Sequence, residues 1–183
     1  MTFSCCSSSL FVSLTLVILF ISLSSEMPRV KAENDLINKY VPTLSNASRC
    51  LQVLKSDPRS ASADLKGLGK ISINKAKASA KQTSKLIASL KICATDSILK
   101  GQYGLCSQDY SDAFNSLEEA KRFLKFGDYV NFGIYAAAAF GGAEELFEEG
   151  PPDQPNQLWP ADQELKDLCD IVKVLSSRLC GLT

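Results

Sequence analysis

Cys106–Leu124, CSQDYSDAFNSLEEAKRFL, is the stretch that decides the fold. Its apolar and small residues, Cys106, Tyr110, Ala113, Leu117, Ala120 and Leu124, step by 4, 3, 4, 3, 4. That spacing puts one seam along a helix, and such a seam must be covered by other helices. Working outward, the same rhythm returns on both sides. Tyr129, Phe132, Ala136, Ala139, Ala143 and Leu146 carry it through a helix over 128–149, and Leu165, Leu168, Val172, Leu175 and Leu179 through one over 161–179. Upstream, Leu65, Leu68, Ser72, Ala76, Ala80, Thr83, Ile87 and Leu90 recur at helical spacing over 62–91. Gly67 and Gly69 each cost that helix about 1 kcal/mol relative to Ala.

The breaks between these helices are also legible. Asp57-Pro58 ends a short helix over 47–55, and Ser60 or Ser62 can cap the long helix that follows. Ala94–Leu105, with Gly101 and Gly104, reads as the first connection; Gly127-Asp128 ends the helix over 106–126, and Gly150-Pro151-Pro152 the next. A first short helix over 34–40, interrupted by Pro42, forms a hairpin with the second. No segment alternates long enough to be a strand. The sum is an all-α, up-down-up-down four-helix bundle preceded by a helical hairpin.

The N-terminus reads as a signal peptide over 1–32, with an apolar run Leu10–Leu23 of 14 residues, too short to span a bilayer, and cleavage placed between 24 and 32. The domain proper is then 33–183, and its setting extracellular. After cleavage Cys50, Cys93, Cys106, Cys169 and Cys180 remain, an odd number in an oxidising compartment. Cys93 and Cys106 bracket the first connection, so either they form a disulfide or Cys106 stays reduced in the core; Cys50, Cys169 and Cys180 read as free or unassigned thiols. Asn46-Ala47-Ser48 is a glycosylation sequon.

Catalysis finds no support. Histidine is absent, which removes Ser-His-Asp and Cys-His chemistry and histidine metal sites, and there is no phosphate loop or nucleophile elbow. No cofactor is implied. Glu144, Glu145, Glu148 and Glu149 read as a solvated acidic face. Twenty basic residues balance twenty acidic ones, so global charge points to no nucleic acid and to no membrane once the leader is gone. One local pattern stands out. Lys66, Lys70, Lys77, Lys81 and Lys91 fall within about 80° of one another around the first long helix. They form either a solvated face or a contact strip for an acidic partner, a protein or a pectin-like polyanion.

Order and spacing across 34–180 resemble one known family. Asn34-Asp35-Leu36-Ile37-Asn38-Lys39, the run from Ser56 to Ser79 with Lys70-Ile71-Ser72-Ile73-Asn74-Lys75-Ala76-Lys77-Ala78, the Cys-x-x-x-Tyr-x-x-Ala of Cys106–Ala113, Lys125-Phe126-Gly127-Asp128-Tyr129 and Leu165-Lys166-Asp167-Leu168-Cys169 are similar to the plant invertase and pectin methylesterase inhibitors. The resemblance implies a secreted bundle that inhibits a cell-wall enzyme by occluding its substrate cleft. Pectin methylesterase is the leading target and invertase the alternative, because Gly127-Asp128 is followed by Tyr129-Val130-Asn131 where invertase inhibitors often carry Pro-Lys-Phe. A non-inhibitory pectin-binding or structural protein is a further alternative. The family's two disulfides each lack one cysteine here: Val41 stands opposite Cys50, and Ala143 opposite Cys106.

Overall fold

A computed structural model of the chain describes residues 35–44, 46–144 and 158–181. Within them lie α1 (Asp35–Tyr40), α2 (Ala47–Lys55), α3 (Leu65–Cys93), α4 (Ser97–Phe126), α5 (Tyr129–Glu144) and α6 (Trp159–Leu179), with 3₁₀ turns at Val41–Thr43 and Pro58–Ser62. No strand occurs among the described residues. The leader over 1–32, and Glu145, Glu148 and Glu149, lie outside them.

The seams read from sequence are the core. Leu68, Ser72, Ala76, Ala80, Thr83 and Ile87 of α3 are buried together with Cys106, Tyr110, Ala113, Leu117, Ala120 and Leu124 of α4. Phe132, Ala136 and Ala139 of α5 join them, as do Leu165, Leu168 and Val172 of α6. The hydroxyls of Ser72 and Thr83 donate back to the carbonyls of Leu68 and Ser79 at 2.9 and 3.0 Å, so these polar residues can occupy seam positions. Each long helix packs on two others: α3 on α4 and α6, α5 on α4 and α6. This is the square cross-section of a four-helix bundle.

Three boundaries differ from the sequence reading. Asp64, not Ser60 or Ser62, caps α3, its Oδ1 accepting from Gly67 N at 2.6 Å. Ser60 and Ser62 sit in the preceding 3₁₀ turn, started by Asp57. The first connection shrinks to Ala94–Asp96, because Asp96 caps α4 by accepting from Leu99 N at 2.8 Å. Gly101 and Gly104 are therefore helical; their propensity cost is offset by the packing of Tyr103 on the core. Finally, α6 begins at Trp159. The α4–α5 reversal matches expectation. Gly127 takes the left-handed conformation (φ +80°) that closes α4, with Asp128 N donating to Phe123 O at 3.0 Å. Asp128 Oδ1 then accepts from Asn131 N at 3.1 Å and starts α5.

The hairpin α1–α2 closes one end of the bundle. Ile37, Val41, Cys50 and Leu54 pack with Leu68 and Ile71 of α3 and Ile171 and Leu175 of α6. Val41, which the family resemblance sets opposite Cys50, belongs to the same apolar cluster as Cys50, so packing holds these two segments together. A polar clasp joins α2 to α6: buried Asp167 accepts from Asn46 Nδ2 at 3.0 Å and pairs with Arg49 Nε at 3.3 Å. Burial raises the Asp167 carboxyl, and Arg49 and Asn46 oppose that rise.

Candidate interaction surfaces

The Cys93–Cys106 disulfide is not present: both are free thiols, Cys93 exposed and Cys106 buried. The reason is the early start of α4. It puts Cys106 nine residues inside the helix, about 14 Å along its axis from Ser97, with its side chain in the core rather than at the connection. Burial pushes the Cys50, Cys106 and Cys169 thiols up to about 12, 11 and 12. They behave as small apolar side chains, poor in thiolate. Cys180 is half-buried at the end of α6. The sequon amide of Asn46 donates one of its two hydrogens to buried Asp167, so a glycan there would take the place of the other.

The lysine stripe does not act as one strip. Lys77 is committed, its ammonium paired with Glu118 of α4 and seated 5.3 Å from the Phe114 ring centre. That contact ties α3 to α4. Lys81 and Lys91 lie exposed farther along α3. Lys66 and Lys70 instead face α4 and, with Lys121, Arg122 and Lys125, line an open groove of about 680 Å³. Asp64, Gly67, Glu118 and Leu124 complete its lining.

A second surface was not singled out in the sequence. α5 buries Phe132, Ala136 and Ala139 on its inner side, yet its outer side carries Val130 (59% exposed), Ile134 (56%), and exposed Ala137 and Ala138. From Tyr129 to Ala143 the helix holds no charged residue. A helix apolar on both faces is one whose outer face is suited to being covered. Phe126, 69% exposed at the end of α4, precedes it across the Gly127-Asp128 turn. Phe123 and Tyr135, ring centres 5.1 Å apart, and Asp128 with Asn131 fix the start of α5 on the bundle. Part of the signal was available: with the seam removed, 129–141 leaves nine residues, Val130, Asn131, Gly133, Ile134, Tyr135, Ala137, Ala138, Phe140 and Gly141, none of them charged.

A model of the family described as plant invertase/pectin methylesterase inhibitor matches residues 39–145, which take in the hairpin's end, α2 to α4 and α5. The chain belongs to this family. It is 62% identical over 184 residues to a pectinesterase inhibitor of Actinidia deliciosa, covering 99% of each chain. Against a cell wall/vacuolar inhibitor of fructosidase from Arabidopsis thaliana it is 28% identical over 177 residues, covering 94% of this chain and 98% of that one. Among solved structures, a mutant form of an Arabidopsis pectin methylesterase inhibitor superposes with a TM-score of 0.70 at 27% identity, over 77% of this chain and 95% of that chain. The bundle is thus the family's own, formed here with all five described cysteines unpaired.

Proposed function

We propose that this protein is a secreted inhibitor of pectin methylesterase, and not itself an enzyme, acting by a complex that covers the enzyme's substrate cleft. The observation that carries the reading is the outer face of α5. Val130, Ile134, Ala137 and Ala138 form an apolar row along one helix, with Phe126 at its foot. Such a row gains affinity from water exclusion once a partner covers it. The 62% identity to a pectinesterase inhibitor supports this target over invertase. Residues 1–32 act as the leader that sends the chain to the cell wall. No described helix is long and apolar enough to cross a membrane.

The test is inhibition of a purified plant pectin methylesterase, with invertase assayed in parallel. Val130→Asp with Ile134→Asp places two charges in the covered face. Inhibition should weaken at least about a hundredfold, about 2.7 kcal/mol, while the thermal midpoint of the free protein holds, because both side chains already face water. Inhibition unchanged in the double variant would remove α5 as the docking face. Inhibition of invertase alone would replace the target.

A further inference from the structure

The groove between α3 and α4 is a charge-segregated feature on a chain whose net charge is zero. Five cations face it against two carboxylates, and both carboxylates already have partners. Asp64 caps α3 through Gly67 N, and Glu118 is paired with Lys77. Arg122 bonds Glu119 at 2.7 Å, outside the groove lining, and Lys125 lies over Phe126. Among the described residues, no carboxylate pairs with Lys66, Lys70 or Lys121. The cations form two rails. Lys66 and Lys70 are one turn apart on α3, and Lys121 and Lys125 one turn apart on α4, so each rail repeats about every 6 Å. The helix axes of packed neighbours lie about 8–10 Å apart. A linear polyanion laid along the groove therefore meets ammonium groups from both sides, with Leu124 beneath it.

We propose that this groove holds a polyuronate, a sugar polymer with a free carboxylate on successive residues, apart from the surface that covers the enzyme. The choice of polymer rests on the proposed function, because hydrolysis of a pectin methyl ester leaves such carboxylates where the target enzyme works. Lysines on flexible stems suit it: they neutralise charge without demanding the fixed geometry that a planar guanidinium imposes. The two surfaces adjoin only where Lys125 lies over Phe126; the row itself is on another helix. α5 packs on α4 and α6, diagonally across the bundle from α3. An inhibitor held on the polymer product would be retained where its target acts, with α5 still free.

The experiment is retention of the full mature protein on immobilised polygalacturonate. Binding at low salt should vanish as the salt approaches about 1 M, where the screening length falls to about 3 Å. The triple variant Lys66→Glu, Lys70→Glu, Lys121→Glu should bind at least about tenfold more weakly. Lys81→Glu, Lys85→Glu, Lys100→Glu makes the same change in net charge away from the groove and should bind as the wild type does. Fully methyl-esterified pectin should not retain the protein. Equal losses in the two triple variants, or retention on the esterified polymer, would overturn the inference. So would loss of methylesterase inhibition in the groove variant with polymer retention intact, since that assigns the lysines to an acidic protein surface. Groove-dependent retention by a protein that inhibits no methylesterase would sustain the inference and refute the proposed function instead.

Discussion

The replacement Asp162→Asn tests the most unusual contact in the core. Tyr110 of α4 donates its hydroxyl across the bundle to Asp162 Oδ1 at the start of α6, joining two helices that otherwise barely touch. Burial and the neighbouring Asp162 carboxylate both push the Tyr110 hydroxyl up, so it stays protonated and keeps donating. Oδ2 of Asp162 is buried with no partner among the described residues. Burial pushes the carboxyl up to about 6 from 3.8, against the opposing pull of the Tyr110 hydrogen bond. A carboxyl with a raised folded value favours the fold when protonated. Its stabilisation is complete below about pH 3.8 and is lost as pH rises through about 6. Between about pH 4 and pH 7 this amounts to about 2 kcal/mol. The amide that replaces the carboxyl has no proton to lose, so that slope should disappear. Any constant cost of the new amide cancels when the two proteins are compared at both pH values. Thermal unfolding should then show the variant gaining about 4–8 °C on the wild type between about pH 4 and pH 7. Curves that stay parallel across that range would refute the burial argument. Tyr110→Phe, which leaves Asp162 with neither oxygen bonded, should steepen the wild-type slope.

The packing and the thiols give three further expectations. At Gly133 an added Cβ would run into Ser176 Oγ and lie 2.9 Å from its Cβ; Gly133→Ala should therefore destabilise by about 1–3 kcal/mol in urea titration, and a neutral result would show that α5 and α6 can part cheaply. At Gly101 a Cβ meets nothing within 4 Å, so Gly101→Ala should stabilise by about 0.5–1 kcal/mol in the same titration; a loss instead would place Gly101 outside a helix. In the native protein a thiol reagent should label Cys93 quickly and leave Cys50, Cys106 and Cys169 until denaturant is added. Slow labelling of Cys93 would contradict its exposed position.

Much of the architecture was legible before any tertiary structure was considered. Six apolar or small residues from Cys106 to Leu124 at alternating steps of 4 and 3 can only share a face if the chain is helical. Pro58 and the Gly127-Asp128 pair punctuate the chain because one fixes φ and the other supplies the left-handed turn and the next cap. These are local facts, and local chemistry settles them. Gly101 and Gly104 misled the reading because propensity is a weak prior, outweighed here by the Asp96 cap and by the burial of the helix that follows. The candidate surfaces were legible in part. α5 was visible as a helix and its outer side as an uncharged remainder of 129–141, but that no neighbour covers Val130 and Ile134 was known only from the packing. Lys66, Lys70 and Lys77 look equivalent along the sequence. They differ because α4 runs antiparallel to α3, bringing Glu118 to Lys77 and setting Lys121 and Lys125 opposite Lys66 and Lys70. Asp162 and Tyr110 are 52 residues apart and meet only because the square closes. The hydrophobic period determines which face of each helix turns inward, since burial is proportional to area and indifferent to partner. Partner-specific contacts depend on the order and direction in which the helices pack, and that only the tertiary structure decides.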